Sequence, residues 1–236
     1  MRFLILIFLF AFFFSCESGK DCCGPDPKPE DKILIRGTDI SFLPEIEAAA
    51  VDFKDATGTT KDLLDILKES GINTIRLRVW HTPVSEHASL PEVKELSDRI
   101  KAKGMKVWLS VHYSDTWADP GHQAKPEAWN DASLTDLQDS VYEYTKKIMT
   151  EIDPDIIQIG NEINGGFVLP DGATDPAHLA NFIALLKKGV QAVRETSSDT
   201  KIMVHLAGFN EATWFYQQLN TSSVDYDIIG LSYYPI

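Results

Sequence analysis

No cysteine lies beyond residue 23 of this 236-residue chain; all three, Cys16, Cys22 and Cys23, fall near its start. A disulfide framework or thiolate metal site in the folded part is thereby excluded. Basic residues are few: 22 Lys and Arg stand against 35 Asp and Glu, a net charge of -13. That surface repels phosphates, so nucleic acid is not an expected partner, whereas a neutral polysaccharide is compatible with it. Neither G-x-G-x-x-G after the first strand nor G-x-x-x-x-G-K-[ST] occurs, which removes the usual support for a nucleotide fold. The longest apolar run, Phe3 to Phe14, is too short for a comfortable transmembrane helix.

That run follows Met1-Arg2 and precedes Ser15-Cys16, the layout of a signal peptide. Cysteine straight after a small residue resembles a bacterial lipoprotein cleavage site, with Cys16 as the lipidated first residue. Ordinary cleavage near Ser15 is the alternative. Residues 1–23 are therefore expected to form the signal and attachment region. Residues 24–32, rich in proline, read as a stiff spacer holding a domain off a membrane. The expected location is the cell envelope or outer surface of a bacterium, with membrane contact only through the anchor. Residues 33–236 are expected to form one domain.

From Ile33 short apolar runs alternate with amphipathic stretches. Strands are expected at Ile33 to about Asp39, Ile72–Trp80, Met105–His112, Asp155–Glu162, Lys201–Leu206 and Asp227–Tyr234. Helices are expected between them: Thr60–Glu69, Leu90–Lys103, Leu134–Glu151, Asp175–Glu195 and Asn210–Leu219. Strict alternation argues for an α/β fold with a parallel sheet. A doubly wound sheet and a (β/α)-barrel both fit it. Polar residues recurring at the carboxyl ends of several strands resemble a barrel active site.

The stretch Asp155–Asn164 carries the strongest such signal. Ile156, Ile157 and Ile159 end in Gly160-Asn161-Glu162, a carboxylate beside an amide at a strand end. The second strand puts Thr74, Arg76, Arg78 and Trp80 on one parity, so the arginines point inward, where a guanidinium needs acids or polar ligands. A structural ion pair is the alternative for either. His112 ends the third strand, His205 lies on the fifth, and Tyr233 and Tyr234 end the sixth. The long loop after the third strand offers Asp115, Trp117 and Asp119. An indole flanked by carboxylates suits a sugar ring, whose apolar face stacks while its hydroxyls hydrogen-bond. Trp80 also suits the site, Trp129 a loop anchor, and Trp214 the core.

RGTDIS (Arg36–Ser41), TKDLLDILK (Thr60–Lys68), RLRVW (Arg76–Trp80), HYSDTWADPG (His112–Gly121), IQIGNEIN (Ile157–Asn164) and GLSYYP (Gly230–Pro235) together resemble the endo-β-1,4-galactanases, or arabinogalactan endo-β-1,4-galactosidases. The resemblance implies a (β/α)8 barrel, with about the first six strand–helix units present, and cleavage of β-1,4-galactan with retention. It implies Glu162 as general acid/base and Asn161 as ligand of the neighbouring sugar hydroxyl. Arg76, His112, His205, Tyr233 and Tyr234 would shape the subsite of cleavage, with Asp115 and Trp117 also binding substrate. For both Asn161 and Glu162 to reach one site, the strand must bend or bulge at its end. No cofactor is expected; calcium sites of some members lie in later loops, and no metal ligand is assigned.

Retention needs two carboxylates about 5–5.5 Å apart. The resemblance places the nucleophile at the end of a seventh strand, whereas this sequence closes after the sixth. The expectation is therefore an acid/base constellation with little or no turnover, on an open barrel of marginal stability or prone to association. A surface lipoprotein that binds glycan without cleaving it is the competing reading. A β-mannan or β-glucan substrate is a third.

Overall fold

The computed structural model describes residues 34–85 and 87–235. The signal region with Cys16, the whole spacer and Ile33 of the first predicted strand lie outside the described residues.

Six strands form one parallel sheet in sequential order: β1 (Gly37–Asp39), β2 (Thr74–Val79), β3 (Lys106–Val111), β4 (Ile156–Ile159), β5 (Lys201–Ala207) and β6 (Ile228–Ser232). A doubly wound sheet would reverse its strand order part-way. Here every strand pairs with its neighbours in sequence, as around a barrel. The helices are α1 (Leu43–Ala48), α2 (Leu63–Glu69), α3 (Leu90–Ala102), α4 (Leu134–Ile152), α5 (Leu179–Thr196) and α6 (Ala212–Thr221). The fold is a (β/α)8 barrel type represented by six strands.

Strand parity divides the sheet into two chemical faces. The outward residues Ile75, Leu77, Val79, Val107, Leu109, Val111, Ile157, Ile159, Ile202, Val204 and Leu206 are all buried against the helices. Each such side chain removed from water contributes about 1.5–3 kcal/mol. Leu137, Val141, Ile148 and Ile152 form the inward stripe of α4, and Phe182, Leu185, Leu186 and Val193 that of α5. The other parity carries Arg76, Arg78, Ser110, Gln158, His205 and Ser232, a polar interior toward the carboxyl ends of the strands.

Several boundaries differ from the sequence expectation. The first strand is only Gly37–Asp39, and α1 follows at once, so two helices separate β1 from β2. Pro44 in the first turn and Leu43 in the core define α1, but six residues give too little periodicity to read. Helix α2 begins at Leu63, because the Asp62 carboxylate accepts the Leu64 N–H at 2.7 Å, not at Thr60. Helix α5 begins at Leu179, after Asp175 has closed a tight turn by accepting the Ala177 N–H at 2.9 Å. Strand β4 ends at Ile159, and the residues after it no longer alternate.

Candidate functional site

That break in alternation creates the site. Gly160 has φ +79° and Glu162 φ +51°, both left-handed. Gly160 still donates to Val111 O at 3.0 Å, so the turn starts while the strand is paired. A Cβ on Gly160 would lie 2.5 Å from Ile163 Cγ2, so glycine is required there. The left-handed conformation of Glu162 costs about 1–3 kcal/mol, strain of the kind that collects at functional sites. In return, Asn161 and Glu162, which would diverge on a straight strand, join one polar network.

The Asn161 amide is held on both sides. Its Oδ1 accepts from Arg76 at 2.8 Å and from the Gln158 amide at 3.0 Å, and its Nδ2 donates to Ala118 O at 2.8 Å. Arg76 also donates to Ser110 Oγ at 3.1 Å and to Asp39 at 2.5 Å, and it lies over the Trp108 ring. Gln123, from the loop after β3, donates to Asn161 O at 2.7 Å and pins the turn.

Glu162 is buried, with 9% of its surface exposed. Its Oε1 accepts from Ser232 Oγ at 2.6 Å and from Tyr234 Oη at 2.9 Å. His205 Nδ1 lies 3.3 Å from the Glu162 N–H and 3.2 Å from the Gln158 amide, and its Nε2 lies 3.1 Å from Ser232 Oγ. A ring nitrogen facing an N–H donor presents its lone pair, so the His205 proton sits on Nε2. The chain then runs His205 Nε2–H to Ser232 Oγ, and Ser232 O–H to Glu162. Burial, aided by the Arg76 charge, lowers the His205 pKa to about 4, despite the opposing pull of Glu162. The imidazole is neutral near pH 7. Gly230 lies beside the ring; a Cβ there would meet Met203 Sδ at 2.8 Å and His205 Cδ2 at 3.1 Å.

His112 closes the opposite wall. Its Nδ1 accepts from Trp80 Nε1 at 3.2 Å and from Ala118 N at 3.0 Å. Burial, then the nearby arginines, lower its pKa to about 3. Trp117 packs edge-on against it, ring centroids 5.3 Å apart, and is 42% exposed. Arg78 is 3% exposed, with its guanidinium 4.0 Å from the Phe42 ring centroid, 5.2 Å from Trp80 and 5.3 Å from Trp117.

The structure therefore brings Glu162, Asn161, Arg76, His112, Trp117, His205 and Tyr234 to one place. Two predicted residues stand apart. Asp115 accepts the backbone N–H groups of Thr82 and Glu127, both at 2.8 Å, and so braces its loop. Tyr233 and Tyr234 are both largely exposed, at 72% and 68%, but among the described residues it is Tyr234, not Tyr233, that hydrogen-bonds to Glu162. Trp214, expected in the core, is 45% exposed, because it sits on the outward side of α6 where the chain enters the helix. Trp129 is buried against His81 and Tyr144, as an anchor.

Sequence reasoning passed over Gln158, Ser110, Ser232 and Gln123. Gln158 had a signal, being the one polar residue inside the apolar run Ile156–Ile159. Ser110 and Ser232 share the inward parity of His112 and Tyr234. Gln123 lies in an irregular loop, where no period exposes it.

The family model for glycosyl hydrolase family 53 matches residues 35–236. The arabinogalactan endo-beta-1,4-galactanase A of Aspergillus niger is 37% identical over 217 residues, 86% of this chain and 61% of that sequence. Among solved structures, the GH53 catalytic domain of Ignisphaera aggregans is 41% identical with a TM-score of 0.82, over 85% of this chain and 59% of that one. A structure from a study of two fungal beta-1,4-galactanases is 34% identical with a TM-score of 0.80, over 86% and 64% respectively. The chain spans about three-fifths of the length of the curated relatives it matches.

Proposed function

The chain belongs to glycosyl hydrolase family 53, and on that premise we propose that its strand-end cleft takes β-1,4-linked galactan, with Glu162 as the general acid/base of a retaining endo-hydrolysis. The observation that carries this reading is the environment of Glu162. A buried carboxylate receives two hydroxyl donors on Oε1, beside an amide fixed by Arg76.

The two donors hold Oε1, leaving Oε2 to bear the proton. Glu162 would pass that proton to the glycosidic oxygen as the bond to the anomeric carbon breaks, then take one back from the incoming water. Asn161 Nδ2 has one hydrogen left after bonding Ala118 O, and would donate it to the sugar hydroxyl beside the reacting carbon. Trp117 offers a partly exposed ring for stacking. Neutral His205 supplies a hydrogen bond through Ser232 without placing a positive charge beside Glu162.

A specific observation favours a second reading. Retention needs a second carboxylate, and among the described residues the other acid drawn into this network is Asp39, already paired with Arg76. The family resemblance assigns the nucleophile to a seventh strand. A cleft that captures galactan without cutting it is the alternative function of these residues. The same proposal puts the protein at a bacterial envelope, anchored through Cys16; incorporation of labelled fatty acid, lost in C16A, is the expected result there.

Incubation with linear β-1,4-galactan separates the readings. Release of oligosaccharides that disappears in E162Q supports hydrolysis. Retention of galactan without release supports capture. Protein that neither releases nor retains galactan contradicts both.

A further inference from the structure

A second concavity, of about 440 Å³, opens beside the ends of β4 and β5 and is lined by Asn164, Gly165, Thr174, Asn210, Glu211 and Trp214. Its inner wall is rigid. Asn164 Nδ2 donates to Ala207 O at 2.9 Å while its Oδ1 accepts the Ala207 N–H at 2.8 Å, so the side chain imitates a strand and locks the two strand ends together. Thr174 Oγ1 donates to Asn164 O at 2.9 Å and ties the following loop to the same point. The outer wall is open to a ligand. Trp214 is 45% exposed, and the side chains of Asn210 and Glu211 have no partner among the described residues.

We propose that this pocket is a remote sugar subsite, receiving a neutral residue of the same oligosaccharide whose scissile region lies at Glu162. The inference rests on the galactan reading above. Three features carry it. The indole face supplies apolar contact of the kind a pyranose CH face covers. A free carboxylate and a free amide beside it supply acceptors and donors for vicinal hydroxyls. Asn164 lies two residues after Glu162 on the same turn, so one wall of the pocket is built from the segment that also carries Glu162. Glu211, on a chain of net charge -13, turns away an anionic ligand. The volume is at the size of a small-ligand site.

The test is calorimetric titration of the 236-residue protein with β-1,4-galactobiose and β-1,4-galactohexaose. Wild type is expected to bind the hexaose about tenfold more tightly than the biose. W214A is expected to lose most of that advantage while its biose affinity stays unchanged; W214F, which keeps an aromatic face, is expected to stay within about threefold of wild type. A hexaose affinity for W214A equal to wild type overturns the subsite alone. Absence of binding of either sugar to wild type overturns the galactan reading with it. Should W214A fail to fold, the double variant N210A/E211A decides: reduced hexaose affinity with unchanged biose affinity supports the subsite, and unchanged affinity for both overturns it.

Discussion

Arg78 is a cation held almost out of water, with no carboxylate at ion-pair distance among the described residues. Desolvation is the largest influence on it and lowers its pKa. Three aromatic faces offset part of that cost, but its buried Nε–H has no acceptor among the described residues, and in the proposed complex a sugar hydroxyl would supply one. R78M keeps the volume and removes the charge. Its melting temperature is expected to stay within about 3 °C of wild type, since a buried unpaired charge gives little stability. Its affinity for galactohexaose is expected to fall about tenfold or more. A stable variant that binds as wild type does would show that Arg78 is structural.

His112 and His205 give the fold a pH dependence. Both are neutral when folded, with pKa values lowered to about 3 and about 4. In the unfolded chain each titrates near 6.5. Between these limits the unfolded state binds more protons, so stability is full above about pH 6.5 and falls as pH drops through this window. His112, 1% exposed, contributes a slope of up to about 1.4 kcal/mol per pH unit. Urea unfolding at pH 4.5 and 5.5 is expected to show stability rising with pH, with a shallower rise in H112N. Equal slopes in the two proteins would contradict the assignment.

At the scale of elements, the decisive segment is the turn that ends β4. G160A places a Cβ against Ile163 at a left-handed φ. It is expected to cost about 1–3 kcal/mol in urea unfolding, and to abolish galactohexaose binding, because Asn161 and Glu162 move together. Retention of both stability and affinity would show that the turn is permissive. The sequence displayed this turn only as a conflict: Asn161 and Glu162 adjacent, both wanted on one face. Strand parity foretold that Arg76 and Arg78 point inward, because period 2 survives along β2, whereas His112 and His205 were legible only as residues at or near strand ends. It could not foretell that Asp115 braces its own loop, or that Trp214 faces outward. Those outcomes depend on loop geometry and on what lies across a helix surface, neither of which has a period. Helix α1 escaped notice for its brevity, whereas α2 was expected and only its start moved, because Asp62 rather than Thr60 caps it.

Across the molecule, the outer face of the sheet is unevenly covered. The outward side chains of β2 to β5 are buried, whereas Ile229 and Leu231 on β6 are 53% and 42% exposed. A parallel sheet is normally sheathed on both faces, and among the described residues β6 pairs on one side only. In the 236-residue protein the Ile229 and Leu231 side chains are an exposed apolar pair. I229K/L231K is expected to bind less of a hydrophobic fluorescent dye than the unsubstituted protein, and equal dye binding by the two would contradict that exposure.

Convergence of the polar strand ends on Glu162 to receive galactan can be tested without turnover. In protein labelled with ¹³C at the glutamate carboxyls, E162Q identifies the Glu162 resonance by its disappearance. Titration of wild type with β-1,4-galactohexaose is predicted to shift that resonance saturably, and cellohexaose to leave it in place. A Glu162 signal that stays unmoved while galactohexaose reaches saturating concentration, or that moves equally with cellohexaose, would contradict the account.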